Sequence, residues 1–297
     1  MPLIFRIATA LGILTSVSAS SLHAENNGKE GVSEQLVATP TAAPRRRAPR
    51  VTLETAFSGG DGLTLAGARI SARAMLPIAP PERMLMIRPS FEFTSLNATS
   101  FPDTPSSLYS TGLNLMWLER LDERLTLTMA ANPSINGDRF EFGRNVRVFA
   151  MGAVAYEWIP DQLKVSAGAA WLGRSDIGVV PAAGVEWTPS DDWNISLIMP
   201  QPRVSHRFLH DEESELWGYA AGSIEGGTFD VRRASGLIDE LSIREFRSSV
   251  GLEFRGIQTG NMFVEAGVGF GRRLEFESSG QSRSYSPGLG IRLGWTR

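Results

Sequence analysis

The chain has 297 residues, 42% of them hydrophobic and 21% charged, with a net charge of −3 and no cysteine. This composition excludes a disordered chain and a helical membrane protein, and the charge argues against a nucleic-acid binder, which would carry a strong basic bias. Without cysteine there is no disulfide, no thiolate catalysis, no thiolate-bound metal and no lipidated N-terminal cysteine.

Residues 1–24 read as a signal peptide. Arg6 supplies a minimal positive region and 7–17 a short apolar run. The small residues of "SVSASSLHA" then offer cleavage after Ala19 or Ala24. The apolar run is too short to cross a bilayer as a helix, and no later segment approaches about 18 unbroken apolar residues. Residues 25–50 are polar and rich in Pro and Ala, and they end in a basic cluster at 45–47 and 50. Such a segment cannot bury a core and is expected to be a disordered linker.

From 51 to 297 the texture is uniform and β-like. About fourteen strands are expected, a number open by about two toward twelve, since 193–209 can also be read as one kinked strand. The spans are 51–58, 63–76, 84–95, 107–118, 124–132, 145–158, 163–172, 179–188, 193–200, 203–209, 216–224, 241–255, 262–275 and 285–296. The segment "LNLMWLERLDERLTLTMAANP" (113–133) shows the pattern: Leu113, Leu115 and Trp117 share one parity, and after a polar break Leu125, Leu127, Met129 and Ala131 share another. In 84–95, Ile87, Pro89, Phe91 and Phe93 oppose Arg88, Ser90, Glu92 and Thr94. A soluble sandwich also alternates, so two further patterns decide where the apolar face looks.

The first is connection length. Breaks after even-numbered strands are short, whereas those after odd-numbered strands include 96–106, 133–144, 225–240 and 276–284. Transmembrane barrels sort short turns and long loops to opposite ends in this way. The second is tryptophan. Trp117, Trp158, Trp187, Trp193, Trp217 and Trp295 all fall at the short-turn end, as membrane-interface aromatics would.

On these features residues 51–297 resemble bacterial outer-membrane β-barrel proteins, porin-like and of the domain-of-unknown-function type. The likeness is most specific at the C-terminus, where Gly290, Leu293 and Trp295 of "GLGIRLGWTR" fit the spacing of the β-signal read by the barrel-assembly machinery. Thr296 and Arg297 follow the aromatic, where such proteins usually stop. The resemblance implies an all-β fold: a single transmembrane antiparallel barrel in the bacterial outer membrane. It implies outer-membrane lipid and the assembly machinery as partners.

The expected lumen-facing charges are Arg69, Arg73, Arg88, Glu92, Arg124, Arg147, Glu186, Arg247, Glu253, Glu265 and Arg292, with Glu157 and Lys164. They would either line a water-filled pore or pair and plug it, because an unpaired charge in a dry interior is very costly. No catalytic, cofactor or metal site is expected. His206 and His210, at i and i+4, would share one strand face, but the acidic turn after them lacks the spacing of a calcium loop. Ser205 and His206 are adjacent and face opposite sides, and there is no G-x-S-x-G elbow. "GVGFG" (267–271) reads as a strand whose glycines let neighbours pack. The expected function is porin-like passive transport of small polar solutes or a structural envelope role. The alternatives are a soluble, exported β protein that binds a ligand and an outer-membrane lipid-modifying enzyme.

Overall fold

The computed structural model describes residues 49–80, 82–139, 146–171 and 179–297. The expected signal peptide and nearly all of the linker lie outside the described residues. The described elements are all strands: β1 (Arg50–Gly60), β2 (Leu63–Ala79), β3 (Arg83–Ala98), β4 (Ser107–Arg120), β5 (Leu125–Gly137), β6 (Arg147–Ile159), β7 (Leu163–Trp171), β8 (Val179–Ser190), β9 (Trp193–Ser196), β10 (Arg203–His210), β11 (Ser214–Arg232), β12 (Ile238–Gly256), β13 (Gly260–Phe276), β14 (Ser282–Tyr285) and β15 (Gly288–Thr296).

Each strand from β1 to β13 pairs antiparallel with the next, and β15 pairs with both β13 and β1. The result is a closed 14-stranded barrel in which β14 and β15 are one strand interrupted at 286–287. Closure gives the sheet no free edge strand, which is what permits a sheet to stand in lipid. The expected last strand, 285–296, is therefore split. The expected loops 133–144 and 225–240 are also partly strand, because β5, β11 and β12 run further than their apolar alternation does.

Side chains sort as the alternation predicts. In β5, Met129 points out and is exposed, whereas Thr126, Thr128 and Ala130 point in and are buried. Outward positions build an apolar belt that includes Leu53, Phe57, Ile70, Phe91, Phe93, Val154, Val250, Leu252, Val264, Ile291 and Leu293. A soluble protein would bury this face, so the apolar parity of 113–133 looks at lipid. Val250, 63% exposed in mid-strand, gives a direct test. Val250→Arg is expected to lower stability in vesicles by about 2–4 kcal/mol, the cost of a cation at the bilayer midplane. Val250→Leu should be near neutral. Equal urea midpoints for the two variants would place this face in water.

The barrel is not of even height. At the long-connection end the tip of β5 leaves β6 and meets β11 in parallel, at Asp230 and Gly137. There Asp138 N donates to the Asp230 carbonyl at 3.1 Å. Arg147 clamps the junction, at 2.9 Å from Asp230 and 2.8 Å from Glu240. Above the membrane belt the chain thus forms a narrower section bounded by β1–β5 and β11–β14. Its interior is an apolar core that includes Leu63, Leu108, Phe229, Leu241, Leu274 and Phe276. Arg233 closes it, lying over the Phe276 ring at 3.7 Å and pairing with Asp103 and Asp239.

Candidate functional site

The lumen of the main barrel has two chemically different walls. On the β10–β13 and β15 side the inward positions carry a continuous ladder of charge. It starts at the short-turn end, where Trp217 lies near the guanidinium carbons of Arg207 and Arg255, at 5.6 and 4.8 Å. Glu253, 1% exposed, accepts from Arg255 at 2.7 Å and from Arg203 at 2.6 Å. Arg203 lies 3.6 Å above the Tyr219 ring, and the Tyr219 hydroxyl donates to Glu265 at 3.2 Å. Glu265 stands 3.8 Å from Arg292, which donates to Glu225 at 2.7 Å.

The ladder ends in a buried triad beneath the apolar core. Glu245 accepts from Arg247 at 2.8 Å, from Arg272 at 2.9 Å and from Ser58 at 2.9 Å. Arg272 is wholly buried and also donates to the Leu63 carbonyl at 3.0 Å. Space for this comes from missing side chains. The Glu245 carboxylate occupies the place where a Cβ on Gly269 would stand, so the glycines of "GVGFG" do make room as expected.

The opposite wall, β2–β8, is apolar at one level. Met75, Met86, Met116, Ala130, Met151, Ala170 and Val180 are successive cross-strand partners and form one row around the inner surface. Met84 and Leu118 pack against it, and Ile198 closes onto Ala153 and Ala155 beside Met151. Thioethers are flexible and polarisable and fill irregular space well.

Most of the expected charges do face the lumen. Arg69 pairs with Glu92, its cross-strand neighbour; Arg88 is buried near Arg73; Glu186 lies opposite Lys164; Arg247, Glu253, Glu265 and Arg292 sit in the ladder. Arg147 is at the β5–β11 junction instead. Arg124 is corrected: it is exposed in the turn before β5, where its N–H caps on Asp122, and it lines nothing. Trp217 is corrected too. It shares the inward parity of its partner Glu253, is buried, and donates to Glu215 at 2.7 Å. Trp117, Trp158, Trp187, Trp193 and Trp295 keep the outward parity, with Trp158 65% exposed.

The shared face expected for His206 and His210 is also overturned. A bulge between Arg207 and Leu209 reverses the parity. His206 faces out against Trp193 and Phe208, at 4.6 and 5.0 Å, while His210 lies 3.4 Å from Glu215. The acidic turn after them is stabilised internally: Asp211 accepts from the Glu213 and Ser214 amides and the Ser214 hydroxyl, which holds its carboxyl below the usual range. Among the described residues no cluster of metal-ligating side chains forms.

Sequence reasoning missed Arg203, Tyr219, Glu225, Glu245 and Arg272, and the methionine row. Arg272 had no readable signal. It follows a bulge at Gly271 (φ 60°) that turns an outward position inward.

Solved structures similar in architecture include the COG4313 outer membrane channel from Pseudomonas putida F1 (10% identity, 89% of this chain and 98% of that one, TM-score 0.43). The TodX monoaromatic hydrocarbon channel matches with 10% identity over 93% and 97%, at TM-score 0.42. LpxR from Salmonella typhimurium matches with 8% identity over 83% and 99%, at TM-score 0.38. No curated protein matches the chain. The family model described as Domain of unknown function (DUF6268) matches residues 80–292, and the chain belongs to that family.

Proposed function

We propose that the chain is an outer-membrane, channel-like barrel that moves small solutes passively and carries out no chemistry of its own. The observation that carries this is the charge ladder, which runs up one wall of the lumen from the short-turn end to the Glu245 triad. Ionic groups lining a passage set which solutes dwell in it. The divergence of His206 and His210 supports the non-enzymatic reading. In this reading residues 1–24 direct export, and Gly290, Leu293 and Trp295 are presented to the barrel-assembly machinery. The short turns face the periplasm, and the outward tryptophans sit at that interface in contact with outer-membrane lipid.

The packing of the lumen favours a second reading, a structural envelope barrel. Thr126, Thr128, Ser166 and Ser196 all point inward and are buried. Planar-bilayer recording of the refolded protein separates the two, with heat-modifiable gel mobility as the folding control. Discrete ion steps are expected. Glu253→Gln, which leaves Arg203 and Arg255 in excess, should shift the permeability ratio toward anions by about twofold or more. A folded barrel without steps would sink the channel reading and leave the structural one.

A further inference from the structure

Two residues along each strand from the methionine row, the same lumen wall turns polar. The β2–β3 ladder passes from Ser71–Ser90 to Ala74–Ile87, and the β4–β5 ladder from Gly112–Ser134 to Leu115–Ala131, both with unchanged register. Arg73 therefore stands beside Arg88, and Asn114 beside Asn132. With the pairs Arg50–Arg73, Arg88–Asn114 and Asn132–Phe149 these residues make one row across β1–β6. The row shares the inward face of Met75, Met86, Met116, Ala130 and Met151, because side chains two apart on a strand point the same way. The next row brings neutral hydroxyls at Thr52, Ser71, Ser90 and Ser134. One row further, Glu54 and Glu92 flank Arg69. Four arginines thus meet two carboxylates, and the patch is cationic.

Two amides in this patch are unmet. Asn132 is 2% exposed, and among the described residues neither its Nδ2 nor its Oδ1 has a hydrogen-bond partner; the same holds for Asn114 Oδ1. Buried amides are nearly always paired, and an unpaired one is costly. The wall nevertheless keeps this one. Gly112 leaves it room, since a Cβ there would stand 3.3 Å from Asn132 Oδ1. Both ladders skip two pairs at this level, beside Pro89 and Pro133, which have no N–H to give. None of these features helps the barrel to stand. A bound group that bonds the amide and the arginines accounts for them.

The chemistry of that group follows from its surroundings. A guanidinium offers paired N–H donors that match the two oxygens of a carboxylate, and an Asn Nδ2 adds a further donor. Arg88 is buried, so the interaction is shielded from water. About 6.6 Å below, at two residues of strand rise, runs the methionine row. Thioether side chains repack around bodies of varied shape. An inorganic anion has nothing to lay on them, whereas an organic acid does.

We propose that this row is a binding site for small organic carboxylates, with the carboxylate on Arg88 and Asn132 and an apolar body along Met86, Met116 and Met151. The role of the site as a subsite of a passage rests on the channel reading above, to which it adds a solute class.

Benzoate is the probe, benzamide its uncharged counterpart and acetate its counterpart without a ring. Binding to the refolded protein in detergent micelles is measured by titration calorimetry, which needs no open pore. Benzoate should bind at least about tenfold more tightly than benzamide, for want of the charge, and than acetate, for want of apolar contact. Asn132→Leu should weaken benzoate by about tenfold. Its urea midpoint should be unchanged or higher, because an apolar side chain of similar size removes an unmet buried amide. Arg88→Gln should abolish binding; heat-modifiable mobility shows whether it has folded, and Asn132→Leu serves if it has not. No benzoate binding by the folded wild type, equal affinities for benzoate and benzamide, or full affinity in Asn132→Leu would overturn the site. Conductance is recorded on the same proteins. Benzoate binding to a barrel without ion steps keeps the site and removes the channel. Ion steps without benzoate binding keep the channel and remove the site.

Discussion

Glu245→Ala is expected to lower the stability of the folded barrel by about 3–5 kcal/mol, the usual cost of removing one partner from a buried ionic group. Among the described residues Glu245 is the one carboxylate bonded to Arg272, and it also holds Arg247. Both guanidiniums are buried, and Arg272 is sealed between the ladder and the apolar core. Taking the carboxylate away leaves two cations facing each other with little access to water. Urea unfolding from vesicles, followed by tryptophan fluorescence, reads the loss. The companion variant Glu245→Leu/Arg247→Met/Arg272→Leu removes the whole group. It is expected to be near neutral or stabilising, because the desolvation cost disappears along with the attraction. A wild-type midpoint for Glu245→Ala would mean that the triad is hydrated and the lumen wet at that level.

Phe276→Ala is expected to cost about 3–5 kcal/mol, as truncation of a buried aromatic does when its surroundings cannot collapse. Phe276 is wholly buried; it stacks on Phe101 with centroids 5.2 Å apart and rings 11° from parallel, and Arg233 covers it. Its partners come from chain segments far apart, β2–β4 and β11–β13, so the cavity lies where the narrow upper section is held together. The loss should appear as a lower transition temperature in heat-modifiable mobility. An unchanged transition would show that the upper section contributes nothing to the stability of the barrel beneath it.

The sequence revealed the barrel because lipid and lumen impose opposite demands on alternate residues, and Leu125–Ala131 or Ile87–Thr94 obey them one by one. It revealed the luminal charges wherever a strand keeps its parity, as at Arg247, Glu253, Glu265 and Arg292. It failed where a bulge inserts a residue. The bulge after Arg207 separates the histidines, and the one at Gly271 turns Arg272 inward to become the partner of Glu245. Trp217 was misassigned because a tryptophan near a strand end looks the same whether it faces lipid or an arginine pair. The methionine row was invisible for another reason: an inward apolar residue breaks alternation only mildly, and its neighbours in the row lie on six other strands. The upper core was hidden in segments that read as loops, since those strands lack an outward apolar face once they leave the membrane.

The uneven wall also acts on the surrounding lipid. β11 and β12 carry the barrel surface far past the membrane, whereas the β9–β10 hairpin ends near mid-height. Acyl chains beside the hairpin meet an apolar surface shorter than they are, and hydrophobic mismatch is relieved by thinning the leaflet or tilting the protein. One side of this barrel therefore sits in a locally thinned bilayer, and its preferred tilt is set by the hairpin 193–210 rather than by the average height of its strands.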